Sequence, residues 1–352
     1  MALDGTGFFN QFPLPDTLAP LFAFRTPAGH FVPTRLPMGW RWSPAIAQRS
    51  LLAVRASAGL SSCSVVWIDN VLISAPSQEE LDRRLAAFAS AAAAVGLTYT
   101  VDACGQRIPF LGMVLDWAEG TFAFSPKFMD KVLAATPSAP APALEDLQFW
   151  AGLANWACHL SRTPLVRVRT LLSTLSQASR PGGGGASLPP LSPAALAEWA
   201  LVRQLITQSY PIAPAALPLS PLVVYTDASD SLGGAVIYSP EAPPSMMQWT
   251  WHLPERHHIN EKELAAVYHT MADLQLKDAT VSIGVDSQVV CAILESGYSR
   301  SPALSERLLA LVDLCAAQNL VLQPFWVPTA ANPADYPSRV IFLHTVPEVR
   351  VV

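Results

Sequence analysis

The sequence predicts an α/β and α+β chain of more than one domain, and three observations carry that expectation. Short β-rich apolar runs end in lone carboxylates, apolar residues recur at helical spacing between those runs, and Pro- and Gly-rich stretches divide the chain. Its 352 residues suffice for two cores of ordinary size. A composition of 51% hydrophobic and 14% charged residues excludes a disordered chain. The longest apolar run of the first half, residues 85–97, is too short to span a bilayer and reads as a packed helix. Met1 leads straight into polar and glycine residues, so no signal peptide is expected.

The organising pattern lies in the second half. Residues 223–229 (VVYTDAS) and 232–238 (LGGAVIY) read as a hairpin, with Asp227 at the end of its first strand. Residues 247–251 supply a third strand. Glu263 begins an apolar-periodic helix that runs to Leu274, and Asp286 ends the strand-like run 281–285. Asp335 follows the strand-like run 320–327 and opens a short helix after Asn332-Pro333, while residues 287–296 and 302–318 read as further helices. Strand ends and a facing helix can bring these four carboxylates into one cleft. Crowded there, they raise one another's pKa values, an arrangement that makes sense only with divalent cations between them. Oxygen-rich ligation without histidine suits Mg²⁺ or Mn²⁺, and two ions about 4 Å apart are the usual arrangement for in-line phosphodiester cleavage.

The first half holds weaker signals of the same kind. Asp4 precedes the aromatic Phe9 by a few residues. Residues 35–48 (RLPMGWRWSPAIAQ) join a Pro- and Gly-built loop to a helix that Ser43 can cap and Pro44 can start. Residues 65–73 place two apolar strands around Asp69-Asn70, a pair that tolerates the positive φ of a tight hairpin turn. Residues 78–96 read as a helix, and 110–115 as a core strand with a glycine bulge or as part of a hairpin. Helices are expected at 144–159, 164–175 and 193–206. Residues 179–187 have the composition of a flexible linker, and 211–221 of a Pro-rich joint.

Taken together, these segments carry a family resemblance. The order of Asp227, Glu263, Asp286 and Asp335 on strand, helix, strand and C-terminal helix resembles the ribonuclease H domain of retroelement reverse transcriptases. Residues 225–229, 260–265 (NEKELA), 284–287 (GVDS) and 327–339 (VPTAANPADYPSR) carry it, the last being similar to DIRS-like retrotransposons and hepadnaviral polymerases. The segments around Asp4, residues 35–48 and Asp69 resemble motifs A, B and C of the reverse transcriptase palm. The resemblance implies a truncated palm plus helical thumb or connection, then a ribonuclease H-like mixed five-stranded sheet with flanking helices. It also implies domains at 1–125 (palm, fingers missing), 126–178 (thumb or connection), 179–221 (linker with one helix), 222–340 (ribonuclease H-like) and 341–352 (tail).

By the same resemblance Asp4 and Asp69 hold two catalytic metals, and Phe9 is the steric gate against a ribose 2′-hydroxyl. Gly39, Ser43, Pro44 and Gln48 shape the template and nucleotide site. Asp227, Glu263, Asp286 and Asp335 hold two Mg²⁺ or Mn²⁺ ions that cut the RNA strand of an RNA/DNA hybrid. Partners are then the hybrid, and template-primer with dNTP if the polymerase half works; no membrane partner is expected. Three departures stand out. Asn70 replaces the second aspartate of motif C, Met38 stands where retroviral enzymes carry glutamine, and the chain begins at motif A, as a fragment of a longer polyprotein would. The competing expectation is an inactive retroelement remnant or a repurposed nucleic-acid-binding module.

Five dispersed cysteines without a Cys-x-x-Cys pair argue for reduced thiols in an intracellular setting, cytoplasmic or nuclear, and against a zinc site. His257-His258, the one adjacent histidine pair, reads as a solvated loop. A net charge of −5 predicts weak, salt-sensitive binding to nucleic acid, relieved locally by Arg35, Arg41 and Arg49 and by Arg162, Arg167 and Arg169.

Overall fold

The computed structural model describes residues 1–135, 137, 142–179, 190–213, 216–251, 257–341 and 349–351. They form two compact units, one of residues 1–130 with 207–213, the other of 131–206 with 214–352.

In the first unit the strands β1 (Ala2–Asp4), β2 (Phe24–Thr26) and β3 (Gly29–Phe31) precede helix α1 (Ser43–Ser57). The hairpin of β4 (Ser64–Trp67) and β5 (Asn70–Ile73) leads to helix α2 (Gln78–Ala94), then β6 (Thr100–Ala103). One sheet has the order β4-β5-β1-β6, so β1 lies inside it and carries Asp4 to the sheet's end. α1 buries Ala47, Leu51 and Val54, spaced to share one helix face, and α2 buries Phe88 and Ala92. These residues close a core with Leu3, Phe8 and Ile73. The Ser77 hydroxyl caps α2 by accepting from the Glu80 N–H. A second sheet runs β10-β9-β8-β7, from β7 (Arg107–Phe110), β8 (Met113–Asp116), β9 (Thr121–Phe124) and, after the helices of the other unit, β10 (Ser209–Pro211).

Several local expectations change here. Ser43 is the first residue of α1 and does not cap it; its hydroxyl donates to the Pro37 carbonyl at 2.7 Å. The positive φ of the β4–β5 hairpin falls on Ile68 (55°), with Asp69 outside the left-handed region. A β-branched residue is strained there. Of the two readings of residues 110–115 the hairpin holds and the bulged strand does not: Leu111 and Gly112 both have positive φ and close a two-residue turn between β7 and β8. Residues 209–211, expected within the 179–221 linker, pair with β9 as β10.

Helix α3 (Pro126–Ala134) contains the division between the units. The second unit then opens with α4 (Leu144–Ser161), α5 (Arg169–Ala178) and α6 (Pro193–Leu205). A 3-10 turn, Leu165–Val168, precedes α5 where periodicity suggests one continuous helix. The Glu198 carboxylate on α6 accepts from the Thr170 and Leu171 N–H groups and so satisfies the start of α5. Val166 belongs to the same core as the following sheet, and its N–H donates to the Gly297 carbonyl. The helices at 131–206 therefore share a unit with the sheet that follows. Residues 180–189 of the expected linker lie outside the described residues.

That sheet contains β11 (Leu219–Ala228), β12 (Leu232–Ser239), β13 (Ala242–Thr250), β14 (Ala279–Val285) and β15 (Leu320–Trp326). Its order is β15-β14-β11-β12-β13, extended at the edge by β16 (Val349–Val351), so a short sixth strand joins the five expected. β14 runs parallel to both β11 and β15, whereas β12 is antiparallel to both its neighbours. The helices are α7 (Ile259–Leu274), α8 (Gln288–Ser296), α9 (Pro302–Gln318) and the short α10 (Asp335–Arg339). Leu264, Val267 and Met271 of α7 pack with Val224, Trp249 and Ile283 of the sheet. The mixed α/β architecture is the one expected. His258 is not idle in a loop; its ring Nδ1 accepts from the Asn260 N–H and caps α7, while His257 pairs with Glu261 at 2.7 Å. All five cysteines are free thiols. No helix among the described residues is long and apolar enough to cross a membrane.

Candidate active site

Two acidic sites emerge, one in each unit. In the second unit, parallel pairing of β11 with β14 sets Asp227 and Asp286 at the same end of adjacent strands, and α7 delivers Glu263 to them. One carboxylate oxygen from each of Asp227, Glu263 and Asp286 lies within 4.8 Å of the other two. Asp227 is nearly fully buried. Burial is the main reason its pKa rises, to about 6; Asp286 and Asp335 add to the rise and the Ser338 hydroxyl opposes it. Glu263 is pushed up to about 7, by burial first and then by Asp286 and Asp227, with Ser287 offsetting part.

Three acids meet where four were expected. Asp335 opens α10 and is near enough to raise the Asp227 pKa, but it lies outside the cluster and its Oδ1 accepts from Arg339 at 2.7 Å. α10 reaches the cluster through another residue: the Ser338 hydroxyl donates to Asp227 Oδ2. Two further groups hold α10 in place. Buried Gln248 on β13 donates to the Pro337 and Val340 carbonyls, and the Asn332 side chain donates to the Thr226 carbonyl beside Asp227 at 3.0 Å. Gln248 was legible in the sequence only as a polar residue between Met247 and Trp249 in an apolar strand; Ser338 carried no separate signal.

The donor set fits a hard divalent cation. All three groups are carboxylates, and the Glu263 Oε2 atom is buried with no hydrogen-bond partner. Two cations near the cluster are engaged with other acids: Lys262, beside Glu263 in the chain, points its ammonium at the Asp230 carbonyl and carboxylate, and Arg339 pairs with Asp335.

In the first unit Asp4 ends β1 directly across from Asn70, and the Gly5 N–H donates to the Asp69 carbonyl at 2.9 Å. Burial, then Asp69, then Asp102 raise the Asp4 pKa. Asn70 is turned to its neighbour, its amide donating to Asp69 Oδ1 at 2.7 Å. Tyr99 was not foreseen: its phenol oxygen is buried without a partner, and its pKa is raised by burial and then by Asp69 and Asp4. Phe9 sits half-buried in the 3-10 turn Phe8–Gln11, and Gly39 is exposed at φ 89°. Gln48 has its polar atoms engaged on the hairpin, accepting from the Ile68 N–H at 2.6 Å and donating to the Val66 carbonyl at 3.2 Å. It clamps the strained turn that presents Asp69. Gln48→Ala therefore strands both backbone groups and lowers the unfolding free energy of this unit by about 1–3 kcal/mol. Urea titration of the variant measures that loss, and Gln48→Glu, which keeps the acceptor alone, recovers part of it.

Residues 1–115 match the reverse transcriptase (RNA-dependent DNA polymerase) family. The match covers about a third of the chain. The Gag-Pro-Pol polyprotein of Human T-cell leukemia virus 2 is 28% identical over 191 residues, which cover 49% of this chain and 12% of the polyprotein. Two solved structures of the foamy viral protease-reverse transcriptase are also similar, each at 18% identity. The one in complex with an RNA/DNA hybrid has a TM-score of 0.49 over 99% of this chain and 45% of that one. The dRH form with double-stranded DNA has 0.47 over 92% and 56%. The chain thus spans about half the length of these solved structures and a small part of the polyprotein.

Proposed function

We propose that the second unit hydrolyses the RNA strand of RNA/DNA hybrids with two divalent ions, Mg²⁺ or Mn²⁺, and that the chain is the reverse transcriptase and ribonuclease H region of a retroelement. The observation that carries this reading is the Asp227, Glu263 and Asp286 cluster, with its buried, unpartnered Glu263 oxygen. Asp227, Glu263 and Asp286 would hold the ions, with Asp335 contributing from α10. When bound, the ions supply an activated water and charge stabilisation of the departing 3′ oxygen. The chain's own residues do the positioning: Ser338 orients the Asp227 carboxylate, and Gln248 and Asn332 anchor the segment that carries Ser338 and Asp335. Hybrid selectivity would follow from 2′-hydroxyl and phosphate contacts across a wide minor groove, without base reading.

A labelled RNA/DNA hybrid incubated with Mg²⁺ tests the reading. The parent protein cuts the RNA strand and Asp286→Asn does not; equal cleavage by both, or by neither, removes the proposal.

The first unit is proposed to retain the polymerase metal pair, Asp4 and Asp69, with weak primer extension. Asn70 supplies no third carboxylate, and its amide is spent on Asp69. Little dNTP incorporation on a template-primer is expected, and Asp69→Ala should abolish what there is; robust extension by the parent chain would contradict the expectation.

A further inference from the structure

Helical spacing puts Asp335, Ser338 and Arg339 on one face of α10, and from that face the Ser338 hydroxyl reaches Asp227. Arg339 holds a single oxygen of Asp335, with its Nε at 2.7 Å and a terminal nitrogen at 2.6 Å from Oδ1. No other ion pair among the described residues engages any of the four acids Asp227, Glu263, Asp286 and Asp335. The guanidinium also feels the strand ends: its pKa is raised by the hydrogen bond to Asp335, then by the charge of Asp335, with smaller shares from Asp227 and Asp286. The helix that carries it is fixed in place, since Gln248 holds the Pro337 and Val340 carbonyls.

An exposed pair at this helical spacing contributes little to folding, so its position beside the cluster is the informative fact. Carboxylates brought together repel one another, and one guanidinium, charged at every pH the fold survives, offsets part of that repulsion. A divalent ion offsets it better but must bind beside a like charge, and that repulsion lowers its affinity. The two side chains are 58% and 35% exposed, so Arg339 can leave Asp335 for water without stranding a buried charge.

We propose that Arg339 is the built-in counter-ion of the acid site: it neutralises Asp335 in the metal-free protein, competes with divalent ions for that carboxylate, and so sets the metal concentration at which the site fills. The inference rests on the metal-binding reading of the cluster and adds to it the group that the ions displace.

Mn²⁺ titration of the full chain, followed through the electron paramagnetic resonance signal of free Mn²⁺, tests this without substrate. Arg339→Gln should bind Mn²⁺ about three- to tenfold more tightly than the parent at low salt, whereas a folding defect would weaken binding. Arg339→Lys, which keeps the charge and loses the planar fork, should stay within about twofold of the parent. In about 0.5 M KCl the gap between the parent and Arg339→Gln should close, because an exposed charge is screened. Asp286→Asn should abolish the uptake, which assigns the ion to this site. Equal or weaker binding by Arg339→Gln overturns the inference and leaves the metal reading standing, with Arg339 a structural support for Asp335. Tightening by Arg339→Lys as large as that by Arg339→Gln overturns it too, since charge would not be the cause. No Mn²⁺ uptake by the parent or by Arg339→Gln removes the metal reading and this inference together.

Discussion

Glu263→Gln should make the metal-free protein more stable near neutral pH and, at the same time, destroy hybrid cleavage. The stability half follows from linkage. Burial and two neighbouring acids move the Glu263 pKa from 4.5 to about 7, so across that interval the folded state binds more protons than the unfolded state. Stability is thus fully present below the lower value and drains away as pH rises through the upper one. Asp227 adds the same sign of dependence between 3.8 and about 6. A neutral amide at position 263 removes the larger part of the penalty, and the melting temperature of the second unit should rise by about 2–5 °C at pH 7.5 while hardly moving at pH 4. Mg²⁺ should reverse the order. It stabilises the parent by binding the folded form, whereas the variant, with one ligand gone, responds little. Cleavage should fall by about a thousandfold or more, since charge stabilisation by bound ions contributes several kcal/mol to such reactions. Thermal melts at the two pH values, with and without Mg²⁺, measure the first half, and a hybrid assay the second. A variant that is less stable than the parent at pH 7.5 would show that Glu263 is a structural hydrogen-bond partner.

Gly234→Ala should loosen α10 and cut activity without touching an acid. A methyl group at this β12 position would lie 2.6 Å from the Ser338 backbone nitrogen and 2.8 Å from the Pro337 carbonyl carbon. Both neighbours are backbone, so the helix itself must move. The shift withdraws the Ser338 hydroxyl from Asp227 and strains the two bonds from Gln248. Overpacking of this kind costs about 1–3 kcal/mol. Melting temperature and cleavage should fall together. Ser338→Ala separates the two effects: it removes the hydroxyl while leaving α10 seated, so cleavage drops with a smaller change in stability. Full stability and activity in Gly234→Ala would mean that α10 does not rest on β12 in solution.

Most of the second unit could be read from residue order. Alternating and helical periodicities marked the strands and helices that now form it, because each has one apolar face and a capping or turn residue at its end; Ser287 and Ser301, for example, cap α8 and α9. Asp227 and Asp286 were legible because a lone carboxylate closing an apolar strand has few structural uses, and Glu263 as the acid leading an apolar-periodic helix. The first unit was less legible in detail. Ile68 takes the positive φ that Asp69-Asn70 was expected to absorb, because Gln48, some twenty residues away in sequence, holds its N–H.

Local patterning therefore dictated which segments become strands and helices and which acids close them, since propensity, period and capping act within a few residues. Distances between segments belong to the assembled sheet. Pairing register made Asp227 and Asp286 neighbours, left Asp335 with Arg339, and brought Ser338, Gln248 and Asn332 to the same corner. The shared burial that lifts two carboxylates toward neutrality exists only once β11, β14, α7 and α10 are packed together.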